Sequence, residues 1–118
     1  MSTRNKEIIE DVNKSFEENK PETFLDHCTD DIEWTIAGDT AKKGKDAVRE
    51  FMASMGECEP PKIGVNKIIS EGDSAACYGD MTMRENEVET TYSYCDIYRF
   101  DGEKIAYLQT FIVKHQSA

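Results

Sequence analysis

The sequence predicts an α+β fold: N-terminal helices packed on a strongly curved, mostly antiparallel β-sheet that forms a conical pocket. Two observations carry that expectation. Apart from one short strand, apolar residues recur at helical spacing up to about Met55, and from Lys62 to Val113 the period changes to that of strands. The later segments are also separated by turn signals such as Glu71-Gly72-Asp73 and Asp101-Gly102, which join consecutive strands as hairpins. Helices followed by a run of strands must cover one face of the sheet, since nothing else is available to bury it.

Ile8, Ile9, Val12 and Phe16 lie at helical spacing among charged residues, predicting an amphipathic helix over Asn5 to Glu18. Asn19-Lys20-Pro21-Glu22 reads as a stop and a new start, because Pro and an acid suit the first turn of a helix. The second helix, about Pro21 to Thr29, would bury Phe24, Leu25 and Cys28. Ile32 to Ile36 alternates with period two and predicts a strand showing Ile32, Trp34 and Ile36 on one face. Residues 37–44 read as a polar loop. A third helix over Asp46 to Met55 carries the stripe Ala47, Val48, Phe51, Met52 and Met55, closed off by Gly56 and Pro60-Pro61.

Four strands are then expected: Lys62 to Ser70, Ser74 to Arg84, Thr90 to Phe100 and Lys104 to Val113, with residues 85–89 as a hairpin loop. In the second of these, Ala75, Cys77, Gly79, Met81 and Met83 share a face. In the third, Tyr92, Tyr94, Asp96, Tyr98 and Phe100 do. A twisted sheet folded over three short helices leaves a hollow between the layers, the default place for a ligand.

A chain of 118 residues with 38% hydrophobic content suits one domain, residues 1–118 with a core of about 5–113. Its 24 acidic residues against 14 Lys and Arg give a formal net charge of −10, which repels nucleic-acid backbones and anionic membranes. No stretch approaches the ~18 consecutive apolar residues of a spanning helix. The start lacks the apolar run of a secretory signal, so a cytoplasmic location is expected. Cys28, Cys58, Cys77 and Cys95 form no C-x-x-C pair, and with only His27 and His115 no zinc-ligand spacing can be assembled. Strand parity sends Cys77 and Cys95 to opposite sides of the sheet, so free thiols are expected.

Several local phrases, in this order, are similar to the SnoaL-like branch of the NTF2-like (cystatin-like α+β cone) superfamily. They are Thr29-Asp30-Asp31-Ile32-Glu33-Trp34, Lys43 to Phe51, Ser70-Glu71-Gly72-Asp73 and Tyr94 to Ile105. The superfamily includes ketosteroid isomerases, polyketide cyclases, dehydratases, epoxide hydrolases and members that only bind or scaffold, so the resemblance implies a shape and leaves the chemistry open. It also implies a homodimer, commonly formed through the sheet face turned away from the cone, and no cofactor.

Asp96 is the foremost candidate. An acid among aromatics is costly to leave ionised, so it is either protonated or supplied with a partner. The resemblance to ketosteroid isomerase places it at the carboxyl that helps form that family's oxyanion hole, an acid kept neutral by its apolar site. It also carries Gly79, Met81, Met83, Leu108, Thr110 and Ile112 onto the inner face. Two departures argue against the isomerase route: Ile36 stands where the general base belongs, and the oxyanion tyrosine of the first helix falls at about Val12. His27 is a second candidate, either paired with Asp96 for proton transfer or a half-exposed helix histidine. Trp34 either plugs the core or floors the pocket. Met52, Met55, Met81 and Met83 are soft core or ligand contacts, and Tyr94 and Tyr98 could bond a ligand or Asp96. Three functions fit: a binding module for a small, apolar or partly polar organic ligand, a small cyclase, isomerase or dehydratase using Asp96 with His27 or a tyrosine, and a dimeric assembly domain with a vestigial pocket.

Overall fold

The structure is a computed structural model and describes residues 2–39, 41–55, 60–85 and 87–115. Its helices are α1 (Ser2–Glu17), α2 (Pro21–Asp26) and α3 (Lys45–Met55). Its strands are β1 (Cys28–Ile36), β2 (Lys42–Lys43), β3 (Lys62–Ile63), β4 (Lys67–Glu71), β5 (Ser74–Glu85), β6 (Val88–Asp101) and β7 (Lys104–Lys114). They form one sheet in the order β2-β1-β7-β6-β5-β3, with β4 also on β5. All pairings are antiparallel except β1 with β7. No helix among the described residues is long and apolar enough to cross a membrane.

The amphipathic stripe of α1 lays Ile8, Ile9 and Val12 into the core, fully out of water. Its end is a Schellman motif. Asn19 takes a left-handed φ of 55°, the Lys20 N–H reaches the Ser15 carbonyl (2.8 Å) and the Asn19 N–H reaches that of Phe16 (3.2 Å). Asparagine tolerates this conformation better than most residues, so the chain reverses here and delivers Pro21 to the first turn of α2. Trp34 of β1 lies among Phe16, Phe24 and Phe51, with ring centroids 5.3–6.0 Å away. That cluster joins all three helices to the sheet.

Four boundaries differ from expectation. The second helix stops at Asp26, three residues early, because the His27 carbonyl accepts the Ile105 N–H (2.7 Å) and Cys28 pairs with Ile105. A partner strand so distant in sequence leaves no mark on local periodicity. The loop 37–44 contains the two-residue β2, an edge pairing against Glu33 and Trp34. The expected strand 62–70 splits into β3 and β4 around Gly64. The β5–β6 hairpin is tighter than expected: Glu85 faces Val88 in register, and Glu87 has a φ of 68°.

The split at Gly64 comes from a close approach of two backbones. Gly64 N–H donates to Asp80 O and Asn66 N–H to Tyr78 O, each 2.8 Å, which presses the 64–66 segment onto Gly79. A Cβ on Gly79 would stand 2.2 Å from the Gly64 carbonyl oxygen and 2.9 Å from the Asn66 nitrogen, both backbone atoms with little room to yield. Gly79→Ala is therefore expected to cost about 3 kcal/mol, read as a lower urea midpoint at unchanged slope.

Candidate functional site

A cavity of about 390 Å³ opens between the helices and the concave face of the sheet. Strand register builds its wall. Cys77, Asp96 and Thr110 stand abreast on β5, β6 and β7, and the pair Tyr94 and Ile112 follows two residues along. Side chains of one parity on neighbouring strands face the same way, so Met81, Met83, Tyr94, Asp96, Thr110 and Ile112 all line the hollow. Trp34 and Ile36 complete the sheet side, Met52 comes from α3, and Asn13, Phe16 and the 19–21 link come from the helical side. The lining is mostly apolar, with Asp96 its single carboxylic acid among the described residues.

The polar groups of the wall are tied by hydrogen bonds whose directions can be worked out. An indole N–H only donates, so the 2.9 Å contact of Trp34 Nε1 with Thr110 Oγ1 makes the hydroxyl oxygen the acceptor. The hydroxyl proton of Thr110 is then left to turn toward the Asp96 carboxyl, its direct cross-strand neighbour, where a hydroxyl donor favours the ionised acid. On the other side, a backbone carbonyl only accepts, so the Tyr94 hydroxyl donates to Gly64 O at 2.8 Å. Cys77 Sγ, 3.7 Å from that hydroxyl, can donate to it and receives Asn13 Nδ2–H at 3.6 Å.

The expected site residues separate into those the cavity gathers and those it does not. Asp96, Trp34, Ile36, Met52, Met81, Met83, Tyr94, Thr110 and Ile112 are on its wall. Trp34 is both core plug and pocket floor. Tyr98 and Leu108 have the inward parity but pair with each other past Asp96, where the helices close the cone, and are fully buried in the core. Gly79 is covered by the 64–66 backbone. The Met55 side chain and Cys58 lie outside the described residues. His27 does not meet Asp96: it caps the end of α2, and its Nε2 lies 2.6 Å from Asp11 Oδ2 of α1. The shortened helix turns it away from the cone. Asn13 was missed, although it follows Ile9 by four residues and precedes Phe16 by three, inside the apolar stripe of α1. Cys28, Cys77 and Cys95 are free thiols, and among the described residues no group of three His, Cys, Asp or Glu gathers as a metal set.

Burial pushes the Asp96 carboxyl up to about 7, and the Thr110 hydrogen bond only partly opposes it. Burial also holds the Cys77 thiol and the Tyr94 and Tyr98 hydroxyls above their ordinary range, so none is charged at neutral pH. An unfolded aspartate titrates near 3.9. Between about pH 4 and 7 the folded chain keeps a proton that the unfolded chain has lost, so stability falls as pH rises across that window. The ionised acid then costs the fold roughly 4 kcal/mol at pH 8. Urea melts at pH 4 to 8 are expected to show this decline in the wild type and a much flatter profile in Asp96→Asn.

The fold has counterparts among known proteins. The family model for the SnoaL-like domain matches residues 9–108. No curated protein matches. Among solved structures, a SnoaL-like protein from Jannaschia with a polyketide cyclase assignment superposes with a TM-score of 0.87 at 12% identity, over 95% of this chain and 87% of that one. An NTF2-like protein of unknown function from Cytophaga hutchinsonii gives 0.77 at 25% identity, over 96% and 99%. An LEH-like epoxide hydrolase of M. tuberculosis gives 0.84 at 12% identity, over 94% and 84%. Since the family model covers residues 9–108 of 118, the chain belongs to the SnoaL-like family, within the NTF2-like α+β cone fold.

Proposed function

We propose that this chain binds a small, mostly apolar organic molecule in the cone and orients it through one oxygen-bearing group placed against Asp96. The observation that carries this reading is a buried carboxyl facing a mostly apolar cavity. Its volume of about 390 Å³ lies within the usual range for ligand pockets. An apolar wall supplies affinity by area, and one polar group fixes orientation, because leaving that group unpaired is costly. While protonated, Asp96 donates to a ligand carbonyl. Once ionised, it repels that oxygen.

The enzymatic alternative draws support from the same acid, since a group titrating near 7 suits proton transfer at neutral pH. It must then work without His27, which faces Asp11, and without Tyr94, whose hydroxyl is committed to Gly64. Such a reaction would be of cofactor-free cyclase, isomerase or dehydratase type, with the ketosteroid isomerase route disfavoured by Ile36. The assembly reading rests on the outer sheet face, where Tyr78, Ile97, Phe111 and Val113 are exposed together and could meet a second copy. Light scattering at micromolar concentration is expected to give twice the chain mass, and Ile97→Lys to return a monomer.

Trp34 is the chain's one tryptophan and lines the cavity, so its fluorescence reports occupancy. At pH 6, 2-acetylnaphthalene is expected to bind about tenfold tighter than the isosteric 2-isopropenylnaphthalene, the worth of one buried hydrogen bond. That advantage should vanish as pH rises through about 7. Asp96→Asn keeps an N–H donor at every pH, so it should retain the preference and lose its pH dependence. Equal binding of the two probes by the wild type at pH 6 would remove Asp96 from the site.

A further inference from the structure

The geometry points to Trp34 and Thr110 as a positioning pair that aims the Asp96 carboxyl into the cavity, a role beyond their own places on its wall. This deepens the proposed function, and rests on it, by assigning the residues that decide which carboxyl oxygen a ligand meets.

A threonine hydroxyl rotates freely unless something fixes it, and it can then donate or accept. Here the choice is made by Trp34. Its indole N–H occupies a lone pair of Thr110 Oγ1 at 2.9 Å, and having no acceptor of its own it cannot reverse the bond. The hydroxyl proton is therefore left to turn to Asp96, its direct cross-strand neighbour. Turned so, it holds one carboxyl oxygen. When the acid is protonated, its proton resides on the other oxygen, since the first already faces a donor.

The indole is in turn held by the rings of Phe16, Phe24 and Phe51, so the direction originates in the rigid core and not in a mobile side chain. Strand register keeps the three residues in reach: Thr110 is paired with Asp96 on one side and with Ile36 on the other, and Trp34 lies two residues before Ile36. Lys20 from the α1–α2 link and Arg84 from β5 line the same cavity without shifting the acid; the ionisable groups close to Asp96 are Cys77 from β5, Tyr94 and Tyr98 from its own strand and Cys95 on the reverse face. Their protons are held by burial. The helix α1 contributes Asn13 and Phe16, which carry no charge. Thr110 is thus the neighbour that can bias the acid.

The test follows the Asp96 carboxyl by carbon-13 NMR in protein labelled at aspartate Cγ, without ligand. Thr110→Val preserves the shape and removes the donor, so the Asp96 midpoint should rise by roughly one pH unit, while Thr110→Ser should restore it. The single Trp34 indole N–H resonance should titrate with the Asp96 midpoint in wild type, and the amplitude should fall by more than half in Thr110→Val. With 2-acetylnaphthalene as probe, the pH at which binding fades should move upward in Thr110→Val together with the midpoint. An unmoved midpoint in Thr110→Val, a Thr110→Ser protein that behaves like it, or an indole resonance indifferent to Asp96 would overturn the pair. Because the titration needs no ligand, a relay that passes while neither naphthalene probe binds would instead count against the proposed function.

Discussion

An aspartate in the middle of a central strand cannot be satisfied by its surroundings in the way a loop aspartate can. Backbone N–H groups are the usual partners of a buried carboxylate, but in β6 they are engaged with β5 and β7 along the whole ladder. Asp96 must find side-chain donors, and the register offers it one, the hydroxyl of Thr110. A single hydroxyl bond is weaker than the loss of hydration, so desolvation prevails and the acid keeps its proton to about neutral pH. An arginine or two more donors at this place would reverse the balance. The sheet's own hydrogen bonding thus sets the chemical character of the cavity.

The rest of the structure keeps that acid buried without filling the space in front of it. The turn at Asn19 lays α2 back against α1, and the Trp34 cluster closes the narrow end of the cone while leaving the wider end to Met81, Met83, Pro60 and Pro61. Close backbone contact at Gly79 holds the 64–66 segment down, and the Tyr94 hydroxyl pins it through Gly64. That assignment takes Tyr94 out of the chemistry. Ser15, another polar side chain on the wall, is spent on the Val12 carbonyl at 2.6 Å. Structural hydrogen bonds thus engage the hydroxyls of Ser15 and Tyr94 on this wall.

The parts of this arrangement that were legible in the sequence are those governed by period two. Alternation in residues 74–84 and 90–100 placed Met81, Met83, Tyr94 and Asp96 on one side, and the fold puts them on one wall, because parity survives errors of a residue or two at strand ends. How far along the cone a side chain sits depends on where the helices close it. This is why Tyr98 and Leu108 were expected at the ligand and lie in the core. His27 was misplaced for a related reason: pairing with Ile105 overrode helical periodicity and turned the ring toward Asp11. The direction of the Trp34–Thr110–Asp96 bonds had no local signal, since it joins three strands.

A lone acid constrains the chemistry more than an incomplete triad suggests. Activating a water for addition ordinarily needs a base to take its proton while an acid assists the departing group, two roles that one carboxyl cannot fill in the same step. Here Ile36 and Val12 occupy the two places where further catalytic groups would stand by the resemblance to ketosteroid isomerase, and Val12 is wholly within the core. One carboxyl titrating near neutrality can, however, take a proton from one atom of a ligand and return it to another. Reactions that conserve protons within the ligand therefore stay accessible, such as double-bond migration or ring closure by enol addition. Binding through a donated proton needs the carboxyl neutral and such rearrangement needs it ionised, so the two draw on opposite sides of its titration near 7, and the second also needs a ligand with an acidic C–H within reach.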